Sequence, residues 1–170
     1  MTVVLKLLFD ECLGHPLVPT LATFLEKAGY PCECKHIRDF QYNGVADDKW
    51  VPLIADQGWI VISADSGKKK SVGEKLPKVC RAYGVSHVIL SPKLHYRKQH
   101  FKFLKIMEVA YQLQKVADAP GGSRFSLRLS TDDRAVLVER PHIIPSDEQS
   151  IRKVQQPLPL PPQPPLGEVK

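Results

Sequence analysis

Short strand-like runs alternate with stretches of helical periodicity along most of this chain, and that alternation limits it to few folds. Val3–Phe9 is apolar and partly β-branched and ends in an acidic turn. Pro16 to Ala28 repeats Leu17, Leu21, Phe24, Leu25 and Ala28 at helical spacing, and Gly29 supplies a stop. Pro31–Ile37 is a short strand, and Arg38–Ala46 is a loop with Asn43-Gly44 as its turn. A helix starts at Asp47 and runs to about Gln57, with Trp50, Val51, Ile54 and Ala55 on one face. Trp59–Ala64 is apolar almost throughout, which fits a central strand covered on both faces. A polar loop at Asp65–Gly73, a helix at about Glu74–Tyr83, a strand Val85–Leu90 and a long helix Arg97–Val116 follow. The inward positions expected of that last helix are Phe101, Leu104, Met107, Val109, Ala110 and Leu113. This β-α-β-α-β-α-β-α order predicts a three-layer α/β fold with a mainly parallel sheet.

Pro120-Gly121-Gly122 interrupts the alternation. Phe125–Ser130 and Ala135–Glu139 alternate apolar and polar residues around Thr131-Asp132-Asp133-Arg134, which predicts a β-hairpin added at the edge. From Pro141 onward the chain holds eight of its 15 prolines, including QQPLPLPPQPP, and reads as an extended tail. Its PxxP spacings fit a spacer better than a ligand for an SH3-type partner.

At 170 residues and 43% apolar composition, the chain can build one core and carry a tail. No run is long enough to span a membrane and no signal-like start is present, so a cytoplasmic protein with no membrane partner is expected. Cys32-x-Cys34 is too tight for paired zinc ligands, and no second pair follows it. All four cysteines are expected to be small buried hydrophobes in a reducing compartment. Charge is uneven. Residues 1–65 hold 5 Lys/Arg against 9 Asp/Glu, and residues 66–115 hold 12 against 2. An acidic segment followed by a basic one suits a cation-holding centre beside a phosphate-binding surface, although lysines also simply solvate helices.

Acidic residues recur where strand ends and helix starts meet on one edge of such a sheet: Asp10-Glu11, Asp47-Asp48 and Asp65. Carboxylates gathered there repel one another unless a cation neutralises them. Each has an ordinary alternative. Asp10 can start a turn, either Asp47 or Asp48 can cap a helix, and Asp65 can open a loop. Taken together, they would offer oxygen ligands of the kind Mg²⁺ and Mn²⁺ prefer. Ser63 fits a polar strand end, and Trp50 and Trp59 fit the core. The stretch His95, Tyr96, Arg97, Lys98 and His100 could track an RNA backbone or solvate a helix start.

The segments FDECLG (Phe9–Gly14), HIRDF (His36–Phe40), ADDKWV (Ala46–Val51) and GWIVISAD (Gly58–Asp65), with the basic loop after them, resemble the PIN-like domain superfamily, in particular compact proteins related to VapC-type toxins. The likeness runs from Leu7 to about Leu90. It implies a three-layer α/β/α PIN-like fold over residues 1–118; residues 119–140, read above as a hairpin extension packed on the domain, and 141–170, read as a tail, fall outside the likeness. It also implies a Mg²⁺- or Mn²⁺-dependent endoribonuclease, as in the toxin of a toxin–antitoxin pair. The resemblance carries the catalytic and metal-holding acids onto Asp10, Asp47 or Asp48, and Asp65, with Glu74 as a fourth candidate; Glu11, adjacent to Asp10, could ligate the metal, support Asp10 or face solvent. RNA would be held by Lys68, Lys69, Lys70, Arg97 and Lys98. RNA is the expected substrate, and a protein antitoxin and a homodimer are the partners such proteins suggest. Two rivals remain open at this point. One is a non-catalytic PIN-like scaffold. The other is a receiver-like domain with Asp65 as phosphoacceptor and Lys93 as its lysine, which leaves Asp47-Asp48 unexplained.

Overall fold

A computed structural model describes residues 4–64 and 75–140. Asp65, Lys68, Lys69, Lys70, Glu74 and the proline-rich tail lie outside the described residues. The strands are β1 (Leu5–Phe9), β2 (Cys32–His36), β3 (Trp59–Ser63), β4 (Ser86–Leu90), β5 (Arg124–Leu129) and β6 (Ala135–Glu139). The helices are α1 (Leu17–Lys27), α2 (Asp47–Ile54), α3 (Leu76–Ala82), α4 (Pro92–His95), α5 (Gln99–Glu108) and α6 (Ala110–Ala117). A 3-10 turn spans Ile37–Phe40. The six strands form one sheet in the order β2-β1-β3-β4-β5-β6. All pairs are parallel except β5–β6.

Alternation along the strands divides the core into two layers, because successive residues face opposite sides. Leu5, Leu7 and Phe9 of β1 pack with Val18, Leu21 and Leu25 of α1 and with Ile106 and Leu113 of the α5–α6 region. Leu8 points the other way and joins Trp50, Val51 and Ile54 of α2, Val61 of β3, and Val79 and Cys80 of α3. The result is helix layer, sheet, helix layer, as the βαβ order requires. β3 and β4 are buried at every position, so β3 is central as its composition predicted. Trp50 and Trp59 are both core residues.

Three details differ from the sequence-based expectation. Helix α2 stops at Ile54 and not near Gln57: Pro52 lies inside it without an N–H to donate, and Ala55 leaves helical geometry at ψ 149°. The single helix expected over Arg97–Val116 is broken at Val109, where ψ is 13°, and α6 turns onto β1. The inward face of α5 is also rotated: Lys102 and Ile106 are buried, while Leu104 is exposed. The hairpin stands at the edge of the sheet as expected, with β5 pairing parallel to β4 and β6 antiparallel to β5. Among the cysteines, Cys12 and Cys80 are buried, but Cys32 and Cys34 are only half-buried, side by side on β2 with Sγ atoms 3.8 Å apart. No helix among the described residues is long and apolar enough to cross a membrane.

Candidate functional site

β1 ends at Phe9, but its pairing with β3 continues one residue further, since the N–H of Asp10 donates to the carbonyl of Ile62 at 3.0 Å. Asp10 therefore leaves the sheet beside Ser63, two residues before Asp65 in the chain. The loop after it is tied down from several directions. The Cys12 thiol donates to Ile62 O at 3.2 Å, and the Gly14 N–H donates to Gln99 Oε1 at 2.9 Å. Lys102, only 3% exposed, donates from Nζ to Cys12 O at 2.5 Å. Gln99 and Lys102 lie one turn apart on α5, so one helix grips both the middle and the end of the loop. Such an anchored loop fixes where the Asp10 backbone sits, which a metal centre needs from its supporting residues.

Charges around the loop follow from this packing. Burial pushes the Cys12 thiol far up, and the Asp10 charge adds to that effect. Cys12 is therefore a neutral donor and not a thiolate ligand. Burial pushes the Lys102 ammonium down from its ordinary value. Glu11 is exposed and makes a 3.7 Å ion pair with Arg38 that solvent largely screens. Next to it, His15 Nε2 meets Asp39 Oδ1 at 2.7 Å, and Asp39 Oδ2 accepts from the His36 N–H at 2.8 Å. His36 is buried, which lowers its pKa, and its Nδ1 accepts from the Arg38 N–H at 3.2 Å.

Asp47 and Asp48 are half-buried at the first two positions of α2. Neither caps it, because the cap residue is Ala46 and no side chain bonds there. Asp47 Oδ1 instead accepts from the Trp50 indole at 3.2 Å, and its charge helps raise the pKa of buried Cys80 on α3. Asp48 lies 3.8 Å from Lys49. The Asp10 backbone is thus bonded to β3 and its loop is held by α5, while Asp47 meets Trp50 and lies near Cys80 of α3. Among the described residues, no group of three or more His, Cys, Asp or Glu side chains could hold a metal ion.

Ser63 does not face this edge alone: its Oγ lies 2.8 Å from Nε2 of buried His87. Of the residues expected to hold RNA, Arg97 sits 3.9 Å from Asp133 and over the Phe101 ring, whereas Lys98 is exposed just before α5. Lys93, the lysine of the receiver-like rival, also lies 3.9 Å from Asp133. Lys102 and Gln99 went unforeseen. A signal was present, since Lys102, Ile106, Val109, Leu113 and Val116 follow the four-three spacing of one buried helical face.

A family model described as PIN like domain matches residues 5–90, from β1 to the end of β4 and just over half of the chain. No curated protein and no solved structure matches. With the α/β/α layering and the acidic strand end in place, this chain belongs to the PIN-like domain family.

Proposed function

We propose that this protein is a divalent-metal-dependent nuclease that cleaves RNA internally. PIN-like domains are commonly nucleases, and membership of the family carries the general class. The observation that supports a site at this edge is the Asp10 N–H to Ile62 O bond, which seats Asp10 at the end of β3, the strand that Asp65 follows in sequence. Mg²⁺ or Mn²⁺ would be held by Asp10, Asp65, and Asp47 or Asp48, with Glu11 in support. When bound, such an ion acidifies a water and neutralises charge building on a phosphodiester. The chain's own residues do the rest. Lys102 and Gln99 fix the Asp10 loop, and buried Cys12 stays protonated beside it. Lys68, Lys69, Lys70 and Lys98 would hold the RNA backbone as point charges. Arg97 would contribute less, because Asp133 already partners it. The likeness to VapC-type toxins supports a finer role as the toxin of a toxin–antitoxin pair, with a protein antitoxin as partner.

Calorimetric titration with Mn²⁺ tests the metal centre without reference to turnover. Wild type should bind the ion, and Asp10→Asn and Asp65→Asn should each weaken binding about tenfold or more while the fold is kept. Absence of binding at millimolar Mn²⁺ would instead favour a non-catalytic scaffold.

A further inference from the structure

The side of the sheet that carries Leu8 and Val61 is apolar under α2 and α3, but its character changes at β4. The core beneath α2 and α3 contains no residue of β5 or β6. On this side β4 presents His87 and the buried Ile89, paired with Arg124 and Ser126 of β5, and Arg128 follows on the same face of β5. Antiparallel β6 adds Val138 opposite Ser126 and Val136 opposite Arg128, and both valines are 38% exposed. Arg140 follows, bonded through its N–H to Arg124 O at 2.8 Å. Arg128 Nε and Arg140 Nη2 both donate to the Ser126 hydroxyl, at 3.3 and 3.4 Å.

Two guanidinium groups thus converge on one neutral, fully buried acceptor, which cannot offset their mutual repulsion. Neither Arg128 nor Arg140 has a carboxylate within ion-pair distance among the described residues. Arg140 Nε is also buried with no hydrogen-bond partner among them. Planar guanidinium forks with spare donors match phosphate oxygens. The register gives the position. Phe9, Ile62, Val88 and Phe125 form one row across β1, β3, β4 and β5. Asp10 and Ser126 therefore stand in the next row, three strand spacings or about 14 Å apart. Residues 124–140 lie outside the segment matched by the family model.

We propose that the β5–β6 face is a binding site for the phosphate backbone of single-stranded RNA, with Arg128 and Arg140 as the phosphate forks and Arg124 beside them. It deepens the nuclease reading by extending the substrate path across the sheet, and it rests on that reading only for RNA as the substrate class.

The test is fluorescence anisotropy of a labelled oligouridine of about 12 nucleotides with the full chain in EDTA, so that cleavage does not enter. Arg128→Ala/Arg140→Ala should weaken binding and lower the salt slope by about 1.4, two phosphates at about 0.7 each. Between about 50 and 200 mM salt, wild type should then lose about sevenfold more affinity than the double variant. Arg128→Lys/Arg140→Lys should keep most of the slope. Equal affinity and equal slope in wild type and the double alanine variant overturn the proposal. So does a wild type that ignores RNA but binds polyglutamate, which would make the face a protein-docking site. If the double alanine variant does not fold, Arg128→Glu at its exposed position decides: weaker binding supports the site and unchanged binding refutes it. Loss of cleavage in Asp65→Asn with RNA binding intact separates this face from the metal centre. RNA binding by a protein that never cuts would sink the nuclease reading and leave this one standing.

Discussion

Replacing His87 by Gln should make the protein markedly more resistant to acid. His87 is wholly buried on β4 and hydrogen-bonded through Nε2 to Ser63 Oγ at 2.8 Å. Burial, reinforced by the neighbouring Arg124 charge, drops its pKa from 6.5 to about 3. The folded state therefore keeps the imidazole neutral across a range in which the unfolded chain takes up a proton. Between those two values the unfolded state binds more protons, so stability falls as pH falls; above 6.5 the group contributes nothing. The linkage relation gives a loss of roughly 3 kcal/mol between about pH 7.5 and about pH 4.5, approaching roughly 5 kcal/mol below both pKa values. Gln can keep a bond to Ser63 but does not titrate. Urea denaturation at the two pH values should show wild type losing roughly 3 kcal/mol more than His87→Gln. Equal losses would show that His87 is not held neutral in the fold and would refute the reasoning.

Two further changes test the packing that supports the site. Lys102→Met strands the buried carbonyl of Cys12, so it should cost about 1–3 kcal/mol in urea denaturation. Because the folded pKa of Lys102 is lowered, wild type should also gain stability as pH rises toward 10.5, and the Met variant should not; a variant as stable as wild type with the same pH slope would remove Lys102 from the account. Gly121→Ala would bring a Cβ to 2.8 Å from the backbone oxygen of Gly84, which cannot swing aside as a side chain can. It should destabilise by about 1–3 kcal/mol and lower the thermal midpoint, and an unchanged midpoint would mean that this turn relaxes freely.

The sequence made the layered fold legible because its signals are local. Trp59–Ser63 is apolar at nearly every position and proves to be the buried central strand. Leu21 and Leu25 mark the inner stripe of α1, although Phe24 on the same pattern is 52% exposed. Non-local choices were hidden. Nothing within Phe125–Leu129 reveals that it pairs parallel with β4, and the break at Val109 leaves the helical periodicity intact. The inward Lys102 was hidden because burial of an ammonium becomes tolerable only with its acceptor, and Cys12 is 90 residues away in sequence. In the candidate site, Asp10 was legible from its place at a strand end. The role of Asp47 was not: helix-start statistics favour a cap, but Ala46 takes that position and the carboxylate meets the Trp50 indole.

The central claim is that the acids at this edge make a metal-dependent RNA-cutting centre. Its most direct test is cleavage of a labelled single-stranded RNA in Mn²⁺ by wild type, Asp10→Asn and Asp65→Asn, each checked for native circular dichroism. The account predicts that wild type cuts internally, that EDTA stops it, and that both folded variants lose cleavage. Cleavage by both variants at the wild-type rate, or none by wild type that has bound Mn²⁺, would contradict it.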